Sequence, residues 1–600
     1  MFSYSLLDWV LYTQFIIKGR RRNEKMKRFT LCTAAFLWML AGCSVKPSPS
    51  IQQPEKEISG VYQGTAWGNN GEIRVEITLE AGSIKNIEVL DHQETKGISD
   101  LPLTVIPEQI VKTQSIAVEA LSGATMTSNG IKNAVKNALE EAAGETESWE
   151  IKPEKSGIEV KDAQCDIVVI GSGAAGMTAA ISAAQQGAKV ILIEKQDILG
   201  GTSLLSNSMF GSVGTSVHQK EGKTETVEDL YQNYMKQEAA TGAYAKAEAA
   251  RILAENAAER AEYLISLGVE LDHTSSAFIL APKGGSGLGA MVIPALNGEL
   301  EKLDVDVRTG TKATHILTEG DQVKGVSVTT EGGEYNIQAK AVIMATGGYA
   351  ANKEMVSQYL PQWKDSVYYC SPGDTGDGLV MAQEIGVELV DMTVMKANPL
   401  VFYDRTHALT MNAAVNAGAI LVNHEGKRFV NEQGSYGISP VINSQTKQEA
   451  IVLFDNTLLE TNETIKAYAE KGYFTVASSL QELAEKMEID ADALVQTIEK
   501  YQEQVKNGVD VEFSRKTLAD LTSGDTFYGI VVKPSIQGTF GGIPTNTGTE
   551  VLNSKGEIIP GFYAVGECAQ EGVNGLNPMT TNLVFGKISG ENAASFALSQ

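Results

Sequence analysis

Gly171-Ser172-Gly173-Ala174-Ala175-Gly176 combines residue types and spacing that dictate a chemistry. Its three glycines permit a tight turn, backbone approach to a pyrophosphate and close packing of a following helix. Glu194, followed by Lys195, ends the next apolar run, where a carboxylate would hold a pair of ribose hydroxyls. The chemistry is dinucleotide binding, and this motif alone leaves FAD and NAD both open. A second segment, Ser122-Gly123-Ala124-Thr125-Met126-Thr127-Ser128, places small residues and hydroxyls before a helical pattern at Asn129-Gly130. Small residues admit a phosphate and the helix start offers N–H groups to it, although a plain Ser/Thr N-cap has the same look.

These residues need elements to hold them. Cys165–Ile170 is a continuous apolar run, as a fully buried parallel strand requires. A helix over Met177–Gln186, stopped by Gly187, and a strand over Lys189–Ile193 complete a strand–turn–helix–strand unit. Further on, Gly200-Gly201-Thr202-Ser203, a strand Ala341–Ala345 running into Thr346-Gly347-Gly348, and the run Gly561–Glu567 are three more strand-and-glycine pieces. Asn582-Leu583 opens a last helix. Upstream, Ile73, Val75, Ile77 and Leu79 alternate with Arg74, Glu76 and Thr78, which predicts a half-buried strand after the Asn69-Asn70-Gly71 turn. Helices are predicted over Pro107–Leu121 and Gly130–Ala143, giving a small α+β unit.

A net charge of −25 argues against a nucleic-acid partner. The five cysteines, Cys32, Cys43, Cys165, Cys370 and Cys568, form no CxxC pair, and the six histidines show no metal-ligand spacing, so no metal, c-type haem or iron–sulfur site is expected. Met26-Lys27-Arg28 and the apolar run Phe29–Ala41 read as a signal segment, with Met26 the expected start. Leu40-Ala41-Gly42-Cys43 resembles the lipobox of bacterial lipoproteins, which implies lipidation of Cys43 and an extracytoplasmic, membrane-anchored protein. Residues 44–57, rich in Ser, Pro and Gln, read as a tether.

The Ser122–Ser128 segment resembles the flavinylation motif of FMN-binding domains, which implies covalent FMN on Thr127. Gly201, Thr202 and Ser203 resemble the loop that crosses the flavin in FAD enzymes. Taken together, residues from about 160 onward resemble the flavoprotein family of soluble fumarate reductases, urocanate reductases and 3-ketosteroid dehydrogenases. The resemblance implies an α/β fold: a Rossmann-like FAD-binding domain (160–397 and 534–600) interrupted by an α+β capping domain (398–533), after an FMN-binding domain (58–148). It implies non-covalent FAD held by Gly171, Gly173, Ala174, Ala175, Gly176, Glu194, Lys195, Gly201, Thr202, Ser203, Gly347, Gly348, Asp377, Glu567, Asn582 and Leu583.

The catalytic positions depart from the family. Its proton-donating arginine falls on Tyr436, its Gln-x-His-Pro segment reads Lys396-Ala397-Asn398-Pro399, and its second histidine and a further arginine fall on Gly538 and Pro578. Bidentate arginine is the usual clamp for a dicarboxylate, so fumarate is not the expected substrate. The expectation is a reductase fed by a quinol- or flavin-based membrane donor through FMN and FAD. Its acceptor would be a small organic molecule such as an enoate, with Tyr436, Lys396 and Arg405 as catalytic candidates. A ketosteroid-like dehydrogenase and an electron-transfer flavolipoprotein remain open alternatives.

Overall fold

The computed structural model describes residues 58–600 apart from 70, 95–98, 119, 122–124, 152–159, 207–209, 242–243, 284–286 and 404–407. Cys43, the signal segment, the tether and Arg405 therefore lie outside the described residues.

The N-terminal unit is an antiparallel sheet of β1 (Gly60–Trp67), β2 (Glu72–Glu80) and β3 (Ser83–Asp91), in that order. On β2 the alternation holds: Ile73, Val75, Ile77 and Leu79 are buried. Two helices, α1 (Asp100–Thr113) and α2 (Thr125–Ala143), complete the domain core. Both begin earlier than their sequence patterns predict. Pro107 lies inside α1 rather than at its first turn, because Ile106 and Ile110 are drawn into the core on either side of it. Likewise α2 starts at Thr125, so Thr127 belongs to its first turn and not to a preceding loop.

The large domain is built on a six-stranded sheet. Its strands are β4 (Ile167–Ile170), β5 (Val190–Ile193), β6 (Asp306–Arg308), β7 (Ala341–Met344), β13 (Glu550–Leu552) and β14 (Ile558–Ala564), in the spatial order β6-β5-β4-β7-β14-β13. The first five in that order run parallel, and β13 pairs antiparallel at the edge. Every residue of β4, β5 and β7 is buried, as continuous apolar runs covered on both faces must be: helices pack on one face and an antiparallel sheet built from residues 312–338 packs on the other. The first helix of the unit, α3 (Ala174–Gln185), is mostly small residues, which lets the last helix, α4 (Pro578–Ser599), approach closely. A Cβ on Gly586 would stand 2.7 Å from the Ala175 carbonyl oxygen, so the approach needs glycine there. This packing brings Asn582 to the mouth of the sheet.

The cap carries a second sheet. It is made of β8 (Met395–Tyr403), β9 (Ala408–Thr410), β10 (Ile420–Val422), β11 (Ala450–Asp455) and β12 (Phe527–Thr539), in the order β9-β8-β12-β11-β10. The boundaries read from sequence, at 397/398 and 533/534, fall inside β8 and β12, which pair with each other. The two chain crossings into the cap are thus a hydrogen-bonded ribbon. A buried ion cluster stiffens the cap: Arg428 donates to Glu432 at 2.8 and 2.9 Å and to Asp510 at 2.9 Å. Arg515 lies 3.4 Å from Glu432 and donates to the carbonyls of Ala419 and Val415.

Candidate active site

A cleft of about 1400 Å³, counting its space open to solvent, lies at the carboxyl ends of β4, β5 and β7, the place where open α/β sheets bind ligands. Gly171, at the end of β4, has φ +103 and abuts the Ala345 carbonyl. A Cβ on Gly176 would collide with the Gly171 carbonyl, so this glycine serves packing. Gly173 is different. It has an ordinary φ of −63, and the nearest atom to a Cβ there would be Ser203 Oγ at 3.6 Å. Among the described residues no atom requires glycine at 173, and its open space leaves room for a ligand to come close. Gly173 also caps α3, whose N-terminus faces the cleft, and Ala174 N donates to Ser203 Oγ at 3.1 Å. That is a seat for a pyrophosphate.

Glu194, at the end of β5, is buried, and its carboxylate accepts from Ser172 N (3.0 Å), Ser172 Oγ (2.7 Å) and Gln196 N (2.8 Å). Lys195 donates to Thr375 at 2.6 Å and pairs with Asp377, which also meets Lys312 at 3.1 Å. Burial works against the Asp377 charge, yet the two lysines hold its carboxyl below the ordinary range. Deeper in, Thr202 donates to Asp374, and Glu567 accepts from Thr539 N at 2.8 Å. Burial pushes the Glu567 carboxyl well above its usual range, and the neighbouring Asp374 pushes the same way. Gly348 must be glycine because a Cβ would collide with Glu567 and Thr539.

Of the predicted cofactor residues, Gly171, Gly173, Ala175, Glu194, Lys195, Gly201, Thr202, Ser203, Gly347, Asp377, Glu567 and Asn582 line the cleft. Ala174, Gly176 and Gly348 shape it from behind. The Leu583 side chain turns into the domain core with no exposure, and Leu583 does not line the cleft. Sequence patterns missed Thr311, Tyr369, Asp374, Gln537 and Phe540, all of which line the cleft. The turn-rich stretch Gly373-Asp374-Thr375-Gly376-Asp377-Gly378 was the visible signal for Asp374.

The far end of the cleft is formed by the ribbon into the cap. Lys396 on β8 pairs with Gly538 on β12, while Ala397 pairs with Ile536. Gln537 is thus the extra residue of a β-bulge, and both Lys396 and Gln537 line the cleft. Bulges re-aim side chains in this way beside active sites. Gln537 Oε1 is buried with no protein hydrogen-bond partner among the described residues, an acceptor left for a ligand donor. Burial pushes the Lys396 ammonium down to about 8. Tyr369, Phe540, Pro578 and Met579 add aromatic and apolar lining, and no arginine is among the described lining residues. Tyr436 lies in the turn Ser435–Ile438; its side chain is outside the described residues.

In the N-terminal unit the buried Thr127 hydroxyl donates to the Glu94 carboxylate. Ile198, Leu204 and Ala290 of the large domain pack against that unit's core, and Leu204 ends the helical turn Gly201–Leu204 of the cleft. From the cap, Lys471 is close enough to feel the Glu94 charge; burial lowers its ammonium and Glu94 acts the opposite way. A buried hydroxyl in the first turn of a helix stands beside free N–H groups that a phosphate can accept from.

A dinucleotide cleft, a strand-linked cap and a small hydroxyl-bearing module together define an FAD-dependent oxidoreductase. The chain belongs to the FAD binding domain family, matched over residues 166–584, and carries an FMN-binding domain matched over 68–140. It is 32% identical over 590 residues to the urocanate reductase of Eggerthella lenta, covering 93% of this chain and 96% of that protein. It is 31% identical over 90% of its length to the NADH:fumarate oxidoreductase of Klebsiella pneumoniae, and spans 59% of that relative's length. The open conformation of a flavocytochrome c3 fumarate reductase matches with a TM-score of 0.65 at 31% identity, over 73% of this chain and 79% of that one.

Proposed function

We propose that this protein reduces a small organic acceptor bearing one negative group on an apolar or aromatic body, an enoate being the best fit. The observation that carries the reading is the composition of the cap end of the cleft. Lys195 and Lys312 pair with Asp377 at the cofactor end, and Lys396 lines the acceptor end. No arginine stands among the described lining residues to clamp a second carboxylate. Tyr369, Phe540 and Met579 instead offer surface to a flat apolar body.

Gly173, Glu194 and Asn582 would hold FAD, which would supply hydride equivalents. The residues of the chain do the rest. Gln537 and Lys396 orient the acceptor at the bulge. Lys396 Nζ holds the proton that the acceptor needs, and an ammonium pushed down to about 8 is a stronger acid than ordinary lysine. The β8–β12 ribbon carries the cap over the cleft and excludes water. Thr127 would hold FMN covalently, and that group would supply electron transfer from a quinol- or flavin-based membrane donor. The Leu204 contact supports close approach of the two flavin domains. Export and lipidation at Cys43 put the enzyme on the extracytoplasmic face, which the signal-like segment supports.

The test is anaerobic. The fully reduced protein is mixed with cinnamates, urocanate, acrylate, fumarate, a sulfoxide and a steroid enone while flavin absorbance is followed. Fast reoxidation by a monocarboxylic enoate is expected. Equal or faster reoxidation by fumarate overturns the reading.

A further inference from the structure

Glu94 and Thr127 lie 33 residues apart in sequence and meet through a hydrogen bond in which the Thr127 hydroxyl donates. Both are buried, at 8% and 2% exposure, so the pair is set into the domain and not formed by chance on its surface. Two glycines build the contact. A Cβ on Gly130 of α2 would stand 2.7 Å from the Gly68 Cα, and a Cβ on Gly68 would stand 2.6 Å from Glu94 Oε1. After β3 the chain is turned toward α2 by the Glu94 N–H, which donates to His92 Nδ1 at 3.2 Å.

Burying a carboxylate to receive a hydroxyl costs more desolvation than an amide or a second hydroxyl in the same place. What the carboxylate adds is a place for a proton. With Oγ1–H directed at Glu94, the oxygen's lone pairs face away from the carboxylate. That is the arrangement of an activated hydroxyl nucleophile.

We propose that Glu94 is the general base for attachment of flavin to Thr127, which rests on the reading that Thr127 carries FMN. The donor is a flavin dinucleotide. Thr127 Oγ1 attacks the flavin-side phosphorus and the Oγ–P bond forms. The bridging P–O bond of the pyrophosphate breaks, and the adenylate leaves with that electron pair. The hydroxyl proton passes to the Glu94 carboxylate and then to water. Nothing is oxidised or reduced.

The test uses the full chain, produced in a host that supplies FAD and a flavin-attaching activity. Wild type, Glu94→Gln, Glu94→Asp and Thr127→Val are compared by intact mass and by flavin fluorescence after denaturation. Non-covalent FAD content and melting temperature are measured on the same samples. Wild type is expected to carry the adduct and Thr127→Val to lack it. Glu94→Gln is expected to load about 10²–10⁴-fold more slowly, with FAD content unchanged, and Glu94→Asp to recover part of the rate. Loading of Glu94→Gln at the wild-type rate overturns the role of Glu94 and leaves the Thr127 adduct standing. Absence of an adduct from wild type overturns both. If Glu94→Gln also lowers the melting temperature, Glu94→Asp decides: loading that returns with the carboxylate supports the base, and loading that merely tracks melting temperature overturns it.

Discussion

Lys396 on β8 stands across from Gly538 on β12, and the bulge at Gln537 beside this pair puts an ammonium and an unpartnered amide oxygen on the same cleft wall. Gly538 contributes no side chain to compete with Lys396 for that space. Replacing the lysine by methionine keeps the length of the side chain and removes the proton. Lys396→Met should lower the rate of acceptor-driven flavin reoxidation by about 10²–10⁴-fold. FAD content, read from the absorbance spectrum of the purified protein, should be unchanged.

The same lysine sets a pH dependence. Burial pushes it down to about 8 from 10.5, so the protonated donor is present below about 8 and lost above it. Turnover should fall about tenfold per pH unit beyond that point. Stability should move the other way. Between about 8 and 10.5 the unfolded chain binds the proton and the folded one does not, so this group makes the fold more stable as pH rises through that window. Urea midpoints for wild type and Lys396→Met across the window isolate the contribution, because other groups are common to both. An alkaline limb of activity that persists in Lys396→Met would assign the proton to another residue.

Gly173 and Gly176 separate cofactor binding from packing. Gly173→Ala meets no protein atom closer than 3.6 Å, at a φ that alanine adopts freely. The apoprotein should keep its stability within about 0.5 kcal/mol, while FAD affinity drops because the methyl occupies the pyrophosphate approach. Gly176→Ala drives a methyl into the Gly171 carbonyl and should cost about 1–3 kcal/mol. Thermal melting of the stripped proteins and FAD titration distinguish the two. Equal effects of both on melting would remove the case for a ligand seat at Gly173.

Glu432 is a stability residue. It receives Arg428 and lies 3.4 Å from Arg515, all three fully buried in the cap. Glu432→Ala leaves two buried guanidinium groups short of a countercharge and should destabilise the cap by about 3–5 kcal/mol. Partial unfolding at lower denaturant, with the FAD absorbance retained longer than the cap signal, is the expected record.

Local signals carried the cofactor half of the site. Gly171, Gly173, Gly176 and Glu194 belong to one short strand–helix–strand unit, where sequence spacing and spatial neighbourhood coincide. Tyr369, Gln537 and Phe540 come from segments that touch only through long-range pairing, such as Tyr369 N donating to the Ile536 carbonyl at 2.7 Å. Nothing beside them in sequence announces that contact. The bulge at Gln537 was equally hidden, because it is a mismatch between two strands and neither strand contains it alone. Pro107 misplaced the start of α1, since proline favours a first turn and only the buried Ile106 and Ile110 explain why the helix runs through it. Thr127 was found from its motif, but its partner Glu94 was not, for the two meet only when the segment after β3 is brought to the first turn of α2.

Leu204 belongs to two cores at once: it ends the helical turn lining the FAD cleft and packs on the module that holds Thr127. One side chain thus forms a wall of both flavin-binding domains, so a shortened side chain at Leu204 would open space in both at once.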